Sequence, residues 1–119
     1  MNKLFNLCLC LLLIACANIV APTGGEKDIA PPRLLSVDMT ENNKNNKTLV
    51  FEFDEYIQFN KWEENFFVSP PVKNNIKKNV KGHKLTLTIE DRLLPSTYYI
   101  SLNHCVKDNN EGNILHKLD

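Results

Sequence analysis

The sequence predicts an all-β fold: an antiparallel β-sandwich of short strands behind a cleaved, lipid-directing leader. Three observations predict the sandwich. Apolar residues recur at every second position in short runs, as in Leu49, Phe51, Phe53 and again in Leu85, Leu87, Ile89. A period of two places them on one face of a half-buried strand. Turn-forming residues punctuate these runs at 42–46, at Pro70-Pro71, at Lys81-Gly82 and at 109–112. No segment carries a convincing helical stripe, and residues 61–65 have room for one turn only.

The leader comes first. Asn2-Lys3 is a short, weakly positive start, and residues 4–15 are almost wholly apolar. That is the length of a signal core and too short to span a bilayer as a mature helix. It ends in Leu13-Ile14-Ala15-Cys16, which reads as a lipobox. Leu13 occupies minus three, where a plain secretory signal needs a small residue. Residues 1–15 are therefore a lipoprotein signal peptide, and cleavage leaves an acylated Cys16 as the new N-terminus. Each buried methylene of such an anchor contributes about 0.8 kcal/mol. Cysteine usage agrees. Cys8 and Cys10 fall in the discarded leader, Cys16 carries lipid, and Cys105 is left without an internal disulfide partner. Cys105 reads as a small half-buried hydrophobe.

Residues 16–32 hold the lipidated cysteine and a tether. Pro22, Gly24, Gly25, Pro31 and Pro32 punctuate it, and it shows no periodicity. Residues 33–119 form one small domain. Its first strand is expected at 34–39. A second, at 48–54, buries Leu49, Phe51 and Phe53 and exposes Thr48, Glu52 and Asp54. A short one at 65–69 is stopped by Pro70-Pro71, and 75–80 reads as an edge strand. Residues 84–90 alternate clearly, and Tyr98, Ile100 and Leu102 mark another strand. Leu93, Pro95, Thr97 and Tyr99 have the spacing of a tyrosine corner, an immunoglobulin-like feature. The strand alternation instead groups Tyr98 with Ile100, so the corner residue is Tyr98 or Tyr99.

At this point the chain resembles a known family: Bacteroidota-type lipoproteins with one SbsA-like bacterial Ig-like domain. Five segments carry the resemblance, in order. They are Pro22-Thr23-Gly24-Gly25 with Asp28 and Pro31-Pro32, then Phe53-Asp54-Glu55-Tyr56-Ile57, then Ser69-Pro70-Pro71. Leu94-Pro95-Ser96-Thr97-Tyr98 and Asp108-Asn109-Asn110-Glu111-Gly112-Asn113 follow. The resemblance implies an Ig-like sandwich on a lipid anchor, with no enzymatic activity attached to the domain. Two departures stand out. The Thr-Tyr spacing is one residue short. Family members also continue past the Asp-Asn-Glu-Gly-Asn motif into a complete last strand, whereas here Ile114-Leu115 begins one that is left incomplete. That predicts an unpaired sheet edge open to a protein partner.

Charge and motifs exclude several functions. The 14 basic and 14 acidic residues balance, with no basic stripe, so nucleic acid is not a partner. The acidic pairs Asp54-Glu55, Glu63-Glu64 and Glu90-Asp91 are neighbours whose side chains diverge, unlike catalytic carboxylates. His83, His104 and His116 lack the spacing of zinc ligands. There is no nucleophile elbow, phosphate loop or Cys-His pair. No catalytic residue and no cofactor are expected. Asp108, Asn110 and Glu111 offer oxygen donors in a glycine-containing turn, a candidate cation site. The order fails the EF-hand pattern, and a plain structural turn prefers the same residues.

The expected protein is a non-enzymatic, lipid-anchored Ig-like module of the cell envelope at the outer membrane, structural or adhesive in role. The alternative is a small-ligand or glycan-binding lipoprotein, for which Trp62, Phe66 and Phe67 are the candidate aromatics. Alternation requires Phe66 or Phe67 to be core. Acidic residues after the lipidated cysteine would favour surface export. Ala17-Asn18-Ile19-Val20 has none, which leans to the periplasmic face and leaves the face open.

Overall fold

Alternation in the sequence becomes eight strands and one turn of helix in the computed structural model, which describes Lys3 and residues 24–119. The predicted leader and its lipobox (Leu13, Ile14, Ala15 and Cys16) lie outside the described residues. In order the elements are β1 (Leu34–Glu41), β2 (Lys47–Phe53), β3 (Ile57–Phe59), α1 (Trp62–Asn65), β4 (Phe67–Ser69), β5 (Lys77–Lys81), β6 (Lys84–Ile89), β7 (Tyr99–Ser101) and β8 (Val106–Asp108). One layer is an antiparallel sheet of order β1-β2-β6-β5. The other consists of two short antiparallel pairs, β3 with β8 and β4 with β7. The fold is all-β and Ig-like, as expected.

Register follows from the apolar pattern. Leu49 pairs with Leu87 and Phe51 with Leu85, so each strand adds its apolar set to the same face. Glu52 pairs with Lys84 on the opposite face. Turn chemistry closes the hairpins. The Asn42 side-chain oxygen accepts from Lys44 N–H (2.9 Å) and Asn46 N–H (3.0 Å), and Asn45 takes a positive φ of 62°. Gly82 supplies the positive φ, also 62°, that joins β5 to β6.

Between the layers lies one core: Phe51, Phe53, Ile57, Trp62, Leu85, Leu87, Leu102, Cys105 and Val106. Trp62 is buried, with Phe59 edge-on to it and Phe66 stacked on it. Of the adjacent phenylalanines, Phe66 packs on the core and Phe67 is exposed. Cys105 is fully buried, and burial pushes its thiol up to about 11, against a smaller opposing effect of the Lys78 charge.

The corner tyrosine is Tyr98. Its hydroxyl accepts the Leu94 N–H at 3.1 Å, while the Tyr99 ring is exposed and its hydroxyl donates to Asp119 at 2.6 Å. After β8 the chain doubles back. Ile114 bridges Lys107, Leu115 N–H donates to the Val106 carbonyl, and Leu102 N–H donates to the Leu118 carbonyl. Leu115 and Leu118 pack against the core. At the other end, Pro32 is buried, and the Asn113 side-chain amide donates to the carbonyls of Asp28 and Ala30. Residues 28–32, read from sequence as the end of the tether, thus touch the domain.

Candidate functional site

The turn after β8 is built around one carboxylate. Asp108 is fully buried, and its Oδ1 accepts the N–H groups of Glu111 (2.6 Å) and Gly112 (2.8 Å) while Oδ2 accepts that of Asn113 (3.0 Å). Gly112 makes the turn possible with a φ of 77°. Burial works to raise the Asp108 pKa, but the donors from Gly112, Glu111 and Asn113 outweigh it and hold the carboxyl below its ordinary value. The Asp108 oxygens are thus engaged by backbone, and Asn110 is exposed.

A different set converges beside this turn. One carboxylate oxygen each from Asp28, Glu55 and Glu111 lies within 4.8 Å of the others. Asp28 and Glu111 are exposed and Glu55 is half-buried. Burial raises the Glu55 pKa, and the charges of Asp108, Asp54, Asp28 and Glu111 raise it further. The arrangement can take up a proton or a cation to relieve that repulsion. Only Glu111 belongs to the set predicted from sequence. Asp28 and Glu55 come from distant points of the chain, and no local spacing signals their meeting.

The other acidic pairs serve the scaffold. Asp54 accepts the Arg33 backbone N–H at 2.8 Å, which holds its carboxyl below the ordinary value with help from the Arg33 guanidinium. Glu63 binds Lys78, and Glu90 binds Lys77. Asp91 accepts the N–H groups of Lys73 and Asn74. His104 and His116 meet edge-on with ring centres 5.2 Å apart, a contact their sequence spacing does not announce. His83 stands apart, with Nδ1 3.6 Å from a Glu52 oxygen.

Exposed apolar groups form the remaining candidate surface. On the outer side of the β4–β7 pair, the Phe67 and Tyr99 rings lie 6.5 Å apart, and both are exposed. Val37 and Met39 are exposed on β1.

Comparison with known proteins bears on what this scaffold is. The family model for a bacterial Ig-like domain matches residues 28–118. The chain belongs to that family. No curated protein and no solved structure matches it. A bacterial Ig-like domain is a structural or interaction module, generally non-catalytic, and commonly occurs in cell-envelope proteins. The family match starts at Asp28, the residue whose carbonyl receives the Asn113 amide.

Proposed function

We propose that this bacterial Ig-like domain is a lipid-anchored module of the cell envelope, held at the outer membrane by acyl chains on Cys16 and acting as a structural or adhesive element. The observation that carries the reading is the order of parts. Leu13-Ile14-Ala15-Cys16 closes an apolar leader, and the Ig-like domain begins a short Gly/Pro-punctuated segment later, at residue 28. Such an order lifts a small sandwich off a membrane surface. Among the described residues, no helix is long and apolar enough to cross a membrane.

Metabolic labelling with a palmitate analogue tests the anchor. The wild-type chain is expected to label and to fractionate with outer membranes. Cys16→Ala is expected to abolish labelling and leave an uncleaved or soluble form. Unchanged labelling in that variant overturns the reading.

One observation favours the ligand-binding alternative. Phe67 and Tyr99 form an exposed aromatic pair, and a flat sugar face stacks on such rings. Trp62 is not available for this, being buried in the core. Glycan-array binding that is lost in both Phe67→Ala and Tyr99→Ala would establish that alternative.

A further inference from the structure

Two imidazoles meet where the segment after β8 folds back over the loop between β7 and β8. The rings of His104 and His116 have centres 5.2 Å apart and planes 77° apart, and both residues are exposed. Backbone and amide bonds fix the chain that carries them. The His104 N–H donates to the carbonyl of Leu115, the residue before His116, at 3.0 Å. The His104 carbonyl accepts the side-chain amides of Asn60 (2.8 Å) and Asn65 (3.2 Å). On the facing segment, Leu115 N–H donates to the Val106 carbonyl at 2.9 Å and Leu118 N–H to the Asn103 side-chain oxygen at 2.6 Å. His104 itself sits at a φ of 61°, a left-handed conformation that histidine and asparagine accept more readily than most residues.

The main chain is thus set on both sides, and the two side chains are uncommitted. Among the described residues no carboxylate pairs with either ring, whereas His83 has Glu52 beside it. The neighbouring thiol does not compete. Cys105 is fully buried, and its Sγ donates to the Asn103 carbonyl at 3.6 Å.

We propose that His104 and His116 form a two-imidazole site for a divalent first-row transition ion, with water in the remaining positions and copper(II) bound most tightly. Donor chemistry selects the ion. Imidazole suits copper, nickel and zinc, and affinity at such donors peaks at copper(II). Calcium and magnesium need oxygen ligands, which this pair does not offer. The spacing fits as well. With a metal–nitrogen bond of about 2.1 Å, a ring centre about 1.2 Å further back and a tetrahedral or square-planar angle, two imidazoles on one ion have centres roughly 5 Å apart. The planes are free to differ, because each nitrogen lone pair lies in its own ring plane. A bound ion ties the β7–β8 loop to the segment after β8, and so stabilises the fold by mass action. The site is independent of the anchor on Cys16 and of the Phe67–Tyr99 pair.

The test uses the full chain without an affinity tag, in detergent micelles, titrated calorimetrically with copper, zinc or calcium chloride. Copper is expected to saturate with a Kd on the order of micromolar, and zinc to bind more weakly. The melting temperature is expected to rise with copper concentration. The electron paramagnetic resonance spectrum of the copper form is expected to show coupling to two imidazole nitrogens. Excess calcium should not displace the ion. His104→Asn keeps a residue that accepts the positive φ, and His116→Gln changes an exposed side chain. Each is expected to weaken copper binding about tenfold or more with the metal-free melting temperature unchanged. His83→Gln should leave binding as it is. Absence of saturation at millimolar copper overturns the proposal and leaves the pair a plain edge-on ring contact. Unchanged copper affinity in either His104→Asn or His116→Gln, or its loss in His83→Gln, overturns it too by placing the ion elsewhere.

Discussion

Phe53→Ala is the sharpest probe of the sandwich. Phe53 is 1% exposed, on β2 at the centre of the core. A phenylalanine side chain removes roughly 150–250 Å² from water. At about 25 cal/mol per Å², that is roughly 4–6 kcal/mol for the whole side chain. Alanine keeps the β-carbon but leaves a cavity, and the expected loss is about 3–5 kcal/mol. A domain of about 90 residues has roughly 5–13 kcal/mol in total. The variant therefore loses a large share of its stability, and its melting temperature falls by roughly 12 °C or more. The Phe53 N–H bond to the His83 carbonyl is backbone and survives the change. Phe51→Ala, on the same face, should cost a similar amount. Glu52→Ala points the other way and should change stability by less than about 0.5 kcal/mol. Urea unfolding of the three variants measures this. Equal losses from all three refute the register and the placement of the core.

Other predictions follow from the polar groups. Asp108 and Asp54 have lowered pKa values in the fold, so their stabilisation is present above the ordinary carboxylate pKa and is lost as pH falls through the lowered values. Asp108→Ala strands three backbone N–H groups and should cost about 2–4 kcal/mol at pH 7, shrinking in acid, by unfolding at a series of pH values. Glu55 has the opposite sign. Its raised pKa means the fold is destabilised as pH rises past the ordinary glutamate value. Glu55→Gln should therefore raise the melting temperature at pH 7 and leave it unchanged at pH 3. Tyr98→Phe should cost about 1 kcal/mol through loss of the Leu94 bond, while Tyr99→Phe, at an exposed position, should be close to neutral in the same unfolding assay.

The longer strands were legible because period-two alternation needs several residues to declare itself. β1, β2 and β6 have six or more, and the period-two pattern marks all three to within a few residues. β3 and β8 have three each, too few for a period. They pair because the chain on either side brings Phe59 against Val106, a tertiary event that no local pattern records. The corner tyrosine shows the same limit. Motif spacing selected Tyr99 and alternation selected Tyr98, and the Leu94 N–H decided for Tyr98. Asp108 was visible as a turn acid. Its burial under three N–H donors was not, nor was the meeting of Asp28, Glu55 and Glu111, which depends on how the segment before β1 crosses the β8 turn. The exposure of Val37 and Met39 is equally hidden, because alternation tells which residues face the core but not whether the opposite layer reaches them.

The central claim is a small Ig-like domain carried on a lipidated cysteine. Intact mass spectrometry of the envelope-extracted protein tests it most directly. The mature chain is expected to start at Cys16 and to carry the added mass of a diacylglyceryl group, with or without a third acyl chain. A mature chain that retains residues 1–15, or that begins elsewhere without acyl mass, would contradict it.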